Sequence, residues 1–173
     1  MSKLYVHYGA TKLDTQRVLA SHNRQFHLGS KPDYGLWASP VEAAYGWKDW
    51  CKDNDFRECD ENNAFYFELE KNAKVLEIRD EIDIKPYYED NCMSSMFKLS
   101  IYNGGDEISQ PFRTSVIGAI DYAKIVNDGY DAVELFQSQN WHLHDTVFNS
   151  WDCDSIVILN PYIIVVKEGL QND

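Results

Sequence analysis

The sequence predicts an α+β protein built on mostly antiparallel or split sheets with flanking helices. Segments that read as strands outnumber those with helical period, and the two kinds are not regularly interleaved. That pattern disfavours a doubly wound parallel sheet. No internal repeat or low-complexity linker marks a boundary, so the 173 residues read as a single domain, 1–173, long enough to bury a substantial core.

Lys3 to Tyr8 alternates as a strand. Residues 10 to 34 are polar and glycine-containing and read as a long loop with room for one helical turn; a loop of that length in a compact domain is often functional. Leu36 to Ser39 is a second short strand. Ser39-Pro40 then reads as an N-cap followed by proline at the first helical position, with Glu42 in the first turn and the helix running to about Lys52. Ala64 to Leu69 and Lys74 to Ile78 are strands around a turn at Lys71-Asn72. From 79 to 113 the pattern is weakest, broken by Pro86 and Gly104-Gly105, with a helix expected near 90 to 100. Val116, Ile117, Ile120, Ala123 and Ile125 give residues 115 to 127 a helical period, and Gly129 stands where a C-cap glycine belongs. Asp131 to Phe136, Ser155 to Leu159 and Tyr162 to Val166 complete the strands, the last two joined at Asn160-Pro161.

Composition removes several function classes. With 44% hydrophobic and 14% aromatic residues the chain is not a disordered segment. No apolar run approaches the roughly 20 residues of a membrane span, and the first residues carry no signal-peptide core. The expectation is a soluble cytoplasmic protein with no membrane partner. A net charge of −12 without a basic cluster argues against broad nucleic-acid docking and is compatible with a basic protein partner. Cys51, Cys59, Cys92 and Cys153 form no CxxC pair and read as reduced thiols. G-x-S-x-G, G-x-G-x-x-G, G-K-S/T and HExxH motifs are absent. His142, His144 and Asp145 lack a second ligand pair, so no metal site is expected.

Three stretches carry candidate chemistry. His7 closes the first strand two residues before Gly9, where the backbone can turn or approach a ligand. Gly35-Leu36-Trp37-Ala38-Ser39-Pro40 places an aromatic at a strand end ahead of Tyr45, Trp47 and Trp50. Trp47 and Trp50 read as core, whereas Trp37 and Tyr45 could stack a flat heteroaromatic ring between them, with the Ser39 hydroxyl at its edge. Asp152 and Asp154 flank Cys153 before Ile156-Val157-Ile158-Leu159, and alternation in an extended segment places both on one side.

In these segments the chain resembles the ADP-ribosyltransferase superfamily, in its diphtheria-toxin-like branch that includes the poly(ADP-ribose) polymerases. His7 matches the strand histidine of that branch and Gly35-Leu36-Trp37-Ala38 its second strand. Tyr45 matches the helix tyrosine, and Asp154-Ser155-Ile156-Val157-Ile158 matches the acid with its strand. Gly129-Tyr130-Asp131-Ala132-Val133 resembles a strand entry common in bacterial members. About a quarter of the chain is covered. Three departures stand out: Tyr8 separates His7 from Gly9, Trp37 replaces a tyrosine, and Asp154 replaces a glutamate.

The resemblance implies an ADP-ribosyltransferase-like split sheet and an NAD-dependent mono-ADP-ribosyltransferase of bacterial or phage, toxin-like type, with NAD as substrate and an acceptor the sequence leaves unidentified. His7 would bind the nicotinamide ribose, and Tyr8 and Gly9 would hold the carboxamide. Trp37 and Tyr45, with Ser39 beside them, would enclose the ring. Asp154 would stabilise the oxocarbenium-like charge as nicotinamide leaves; Asp152 and Glu134 are the reserve acids. The alternative expectation is a catalytically silent relative that binds a nucleotide or a protein.

Overall fold

The computed structural model of the chain describes residues 2–20, 31–32, 34–89, 119–148 and 150–167. Among these, the strands are β1 (Tyr5–Tyr8), β2 (Leu36–Pro40), β3 (Ala64–Leu69), β4 (Val75–Ile78), β5 (Tyr88–Glu89), β6 (Ala119–Ile120), β7 (Ala132–Leu135), β8 (Ser155–Ile158) and β9 (Ile164–Lys167). The α-helices are short: α1 (Thr15–Leu19), α2 (Trp47–Asp53), α3 (Glu81–Ile84) and α4 (Tyr122–Asn127). The architecture is mixed α+β. Seven strands form one sheet in the order β4-β7-β8-β2-β1-β3-β9, and β5 pairs with β6 apart from it. The seven-stranded sheet is antiparallel except for the parallel pair β4–β7.

Strands β7 and β8 lie at the centre of the packing, and their sequences explain why. Every residue of both is buried. Alternation sends Ala132, Ile156 and Ile158 to one face, where they meet Tyr5, Leu36, Phe65 and Phe67. Val133, Leu135 and Val157 go to the other face, against Ile125, Leu143, Phe148 and Trp151. A strand covered on both sides reads as a nearly continuous apolar run, and each fully buried Val, Leu or Ile contributes about 1.5–3 kcal/mol. The polar interruption, Glu134, is buried with its carboxylate taken up by Lys3 Nζ at 2.7 Å and the Tyr5 hydroxyl at 2.9 Å.

Two expected helices are shorter than their sequence signals. Pro40 ends a strand: it pairs with Tyr5, and the Val41 N–H continues the extended path by donating to the Leu4 carbonyl at 2.9 Å. The helix begins only at Trp47. Ser39 still caps it, from eight residues away, because its Oγ accepts the Trp47 N–H at 2.9 Å. The second helix is confined to α4. Ala119–Ile120 pairs instead with Tyr88–Glu89, and Asp121 caps α4 by accepting the Lys124 N–H at 2.8 Å. Residues 115 to 118 and the expected helix at 90 to 100 lie outside the described residues.

The end of α4 follows the sequence closely. Gly129, at φ +90°, donates to Val126, and Tyr130 donates back to Ile125. This is the paired closure that a glycine after the C-cap permits. Gly35 holds the entry to β2 at φ +113°. An added Cβ there would lie 3.0 Å from both the Ile158 carbonyl oxygen and Val157 Cγ2. The backbone of β2 can approach β8 this closely only because residue 35 has no side chain.

Candidate functional site: a divided cleft where two strands part

The site originates in an interrupted ladder. Strands β1 and β2 pair at Tyr5↔Pro40 and Val6↔Ser39 and then separate, while β2 continues beside β8. The Trp37 carbonyl, which loses its place in the β1 ladder, is engaged by His7 Nδ1 at 2.7 Å. A carbonyl can only accept, so Nδ1 carries the proton and neutral His7 keeps Nε2 as an acceptor. Burial, with Arg17 and Arg57 nearby, holds the imidazole below its ordinary value, opposed by the bond to Trp37. His7 is thus a fixed neutral ring able to receive a hydroxyl proton donor.

A cleft lies on each side of His7 and Trp37. The first, of about 290 Å³, is walled by Tyr8, Trp37, Trp47 and Trp151, with Ser39, Cys153 and Ser155 among its polar lining. The second, of about 340 Å³, has Gly9, Tyr34 and Gly35 together with the cations Lys12, Arg17 and Arg57 and one carboxylate, Asp14. His7, Tyr8, Trp37 and Arg57 border both clefts. In a chain of net charge −12, the second cleft therefore gathers positive charge beside an aromatic one.

Lys31 and Asp152 set the electrostatics of the first cleft. The Lys31 ammonium sits 5.5 Å from the centre of the Trp37 ring and 3.8 Å from the Asp152 carboxylate. A cation between an aromatic face and a carboxylate is favoured by both partners. Trp37 is braced edge-on by Trp151, with ring centres 4.6 Å apart, and Trp151 is braced in turn by Phe148. Cys153 touches the Ser155 hydroxyl at 3.2 Å, and burial pushes its thiol up to about 11. At neutral pH it is a protonated thiol and a poor nucleophile.

The expected site residues are only partly brought together. His7, Tyr8, Trp37 and Ser39 line the first cleft. Gly9 lies in the second, its N–H donating to the Asn63 carbonyl at 2.7 Å. The Ser39 Oγ is already committed to capping α2. Tyr45 does not face Trp37; it borders a separate depression with Gln137, Ser138, Trp141, His144 and Asp152. No sandwich of Trp37 and Tyr45 forms.

Asp154 departs furthest from expectation. It is 0% exposed, and its carboxylate accepts the Ser138 N–H at 2.8 Å, the Ser138 hydroxyl at 2.7 Å and the Tyr45 N–H at 3.4 Å. It ties two loops together and does not line the cleft. The expectation that Asp152 and Asp154 share a side fails because the chain bends at 153–154 and becomes a strand only at Ser155. Asp152 is the carboxylate that reaches the cleft. Glu134, the other reserve acid, is held by Lys3 and Tyr5. His142 and His144 are exposed. Among the described residues no group of three or more His, Cys, Asp or Glu side chains could hold a metal. No helix among them is long and apolar enough to cross a membrane.

No protein-family model, curated protein or solved structure matches the chain. The cleft residues that sequence reasoning missed are Lys12, Arg17, Lys31, Arg57 and Trp151, together with Trp47, which it read as core. None belongs to a motif: Lys31 and Arg57 sit in connecting segments and reach the cleft only through the tertiary path. Trp151 opens a stretch whose two aspartates drew attention away from it.

Proposed function

We propose that the chain binds the oxidised dinucleotide NAD across the two clefts and breaks its nicotinamide–ribose bond, as a mono-ADP-ribosyltransferase-like enzyme. One observation carries the reading: a cation is already held between the Trp37 ring and the Asp152 carboxylate. The pyridinium ring of oxidised NAD is planar and positively charged. In place of the Lys31 ammonium it gains both the stacking and the charge attraction. Neutral His7 offers Nε2 to a ribose hydroxyl, and Lys12, Arg17 and Arg57 suit the diphosphate.

In this reading the C1′–N bond breaks with its electron pair moving onto the pyridinium nitrogen, so nicotinamide leaves neutral. The ribose is left with oxocarbenium-like charge, which Asp152 stabilises in place of Asp154. The acceptor then adds at C1′ and loses its proton. A second reading, binding without turnover, is favoured by the cleft floor, where Cys153 and Ser155 stand and the acid is at Lys31's side.

The test is nicotinamide release from NAD, run beside thermal shifts with NAD and with reduced NADH. The enzyme reading expects turnover and a larger shift with NAD than with NADH. Both effects should be lost in Trp37→Ala, while Asp152→Asn should lose turnover and the preference for NAD over NADH. A shift without release supports the second reading. Neither shift nor release refutes both.

A further inference from the structure

Two of the four cysteines meet in the fold although their spacing does not announce it. Cys51 stands in α2, and Cys59 follows eight residues later. The helix ends in a paired closure. The Phe56 N–H donates to the Cys51 carbonyl at 3.0 Å and the Asp55 N–H to the Lys52 carbonyl at 3.3 Å, with Asp55 in the left-handed region at φ +50°. Such a closure reverses the chain. Phe56 packs edge-on against Trp47 and Trp50, and the segment that follows runs back along α2. Two side-chain contacts mark that seam: Lys48 pairs with Glu61, and the Cys59 thiol is hydrogen-bonded with that of Cys51. Lys48 and Cys51 are three apart and share a helix face. Asp60 is extended, which sends Cys59 and Glu61 to one side of their segment. The two contacts are therefore in register. Cys51 is buried and Cys59 half-buried, so a small reagent reaches Cys59 first.

We propose that Cys51 and Cys59 are an oxidisable pair whose disulfide clamps the turn at 54–58 onto α2, with a low-molecular-weight disulfide as the oxidant. The Cys59 thiolate attacks one sulfur of the reagent, and the expelled thiolate takes up the proton that Cys59 gave. Cys51 then gives up its proton and attacks the Cys59 sulfur, so the second half of the reagent leaves as a thiol. Two protein thiols and one small disulfide become one protein disulfide and two small thiols, and two electrons pass to the reagent. Burial and the neighbouring Cys51 push the Cys59 thiol up to about 11, so closure is slow at neutral pH and quickens in mild alkali. Arg57 rides on the clamped turn; it borders both clefts and stands 5.4 Å from the centre of the Trp47 ring. Oxidation of the pair does not depend on the dinucleotide reading.

The test treats the full chain with millimolar oxidised glutathione at about pH 8. The intact mass should fall by two hydrogens, with no glutathione retained. After the remaining thiols are alkylated, trypsin cuts at Lys52 and Arg57 between the two cysteines, so joined peptides identify the bond. Closing so short a ring should raise Tm by about 5–10 °C, reversed by dithiothreitol. Cys59→Ser should show neither the joined peptides nor the rise, and Cys51→Ser should stop at a glutathione adduct on Cys59. The proposal is overturned if both thiols stay free, if the wild type stops at that adduct, or if the bond joins Cys92 or Cys153 instead. A joined pair that leaves Tm unchanged or lowers it would mean that the native fold does not hold the two thiols ready to bond, and would overturn it as well.

Discussion

Replacing Asp154 with alanine separates a structural carboxylate from a chemical one. The side chain accepts two short charge-assisted bonds from Ser138, at 2.8 and 2.7 Å, and one long bond from Tyr45 at 3.4 Å. The short bonds are worth about 1.5 kcal/mol each, and the long one adds little. The backbone bond from Asp154 N–H to the Tyr45 carbonyl, 2.8 Å, survives the substitution. The expected loss is therefore about 3 kcal/mol. For a chain of this length each kcal/mol moves Tm by about 2–4 °C, so the variant should melt roughly 6–12 °C lower. Asp152→Ala is the control. Its pair with Lys31 is 3.8 Å long and about 30% exposed on the Asp152 side, so less than about 1 kcal/mol should be lost. Thermal melts and urea titrations with unchanged m-values would measure both. If Asp154→Ala melts within a degree or two of wild type, or Asp152→Ala falls as far, the assignment of these two acids is wrong.

Three further outcomes follow from the same geometry. Because burial lowers the His7 pKa in the fold below its ordinary 6.5, the unfolded chain binds its proton first as pH falls; stability should decline from about pH 6.5 down to the lowered folded value, and His7→Gln should flatten that part of the urea-midpoint profile. Gly35→Ala places a Cβ 3.0 Å from the Ile158 carbonyl oxygen at φ +113°, so a loss of about 2–3 kcal/mol is expected by urea denaturation, and a near-neutral effect would contradict the close approach of β2 to β8. Cys153 is buried, with its thiol pushed up to about 11; brief iodoacetamide treatment of the native protein at pH 8 should leave it unmodified by peptide mass mapping, whereas rapid labelling would mean the cleft floor is open.

Local signals were most legible where one short segment contains both the cause and its consequence. The apolar run from Ile156 to Leu159 read as a strand and lies in and just after β8, and Gly129 after a helical period marked a C-cap that the hydrogen bonds of α4 complete. Ser39-Pro40 misled for a comparable reason. The serine does cap a helix, but one that starts eight residues later, because pairing with Tyr5 keeps Pro40 extended. A cap read from sequence presumes that the helix follows at once.

The α+β class and the strands around β7 and β8 were legible in the residue order, which also singled out His7 and Trp37, two residues that the fold brings to one cleft lining. These depend on period, burial and glycine, which act over a few residues. Which carboxylate faces the cleft depends on the path of the folded chain. Asp152 and Asp154 are two residues apart and chemically alike, and a bend at 153–154 turns one towards Lys31 and the other into the Ser138 and Tyr45 loops. The parting of β1 from β2 was likewise invisible, since it depends on which neighbour each strand keeps. That choice rests on contacts between residues far apart in sequence, and it opens the gap that His7 bridges to Trp37.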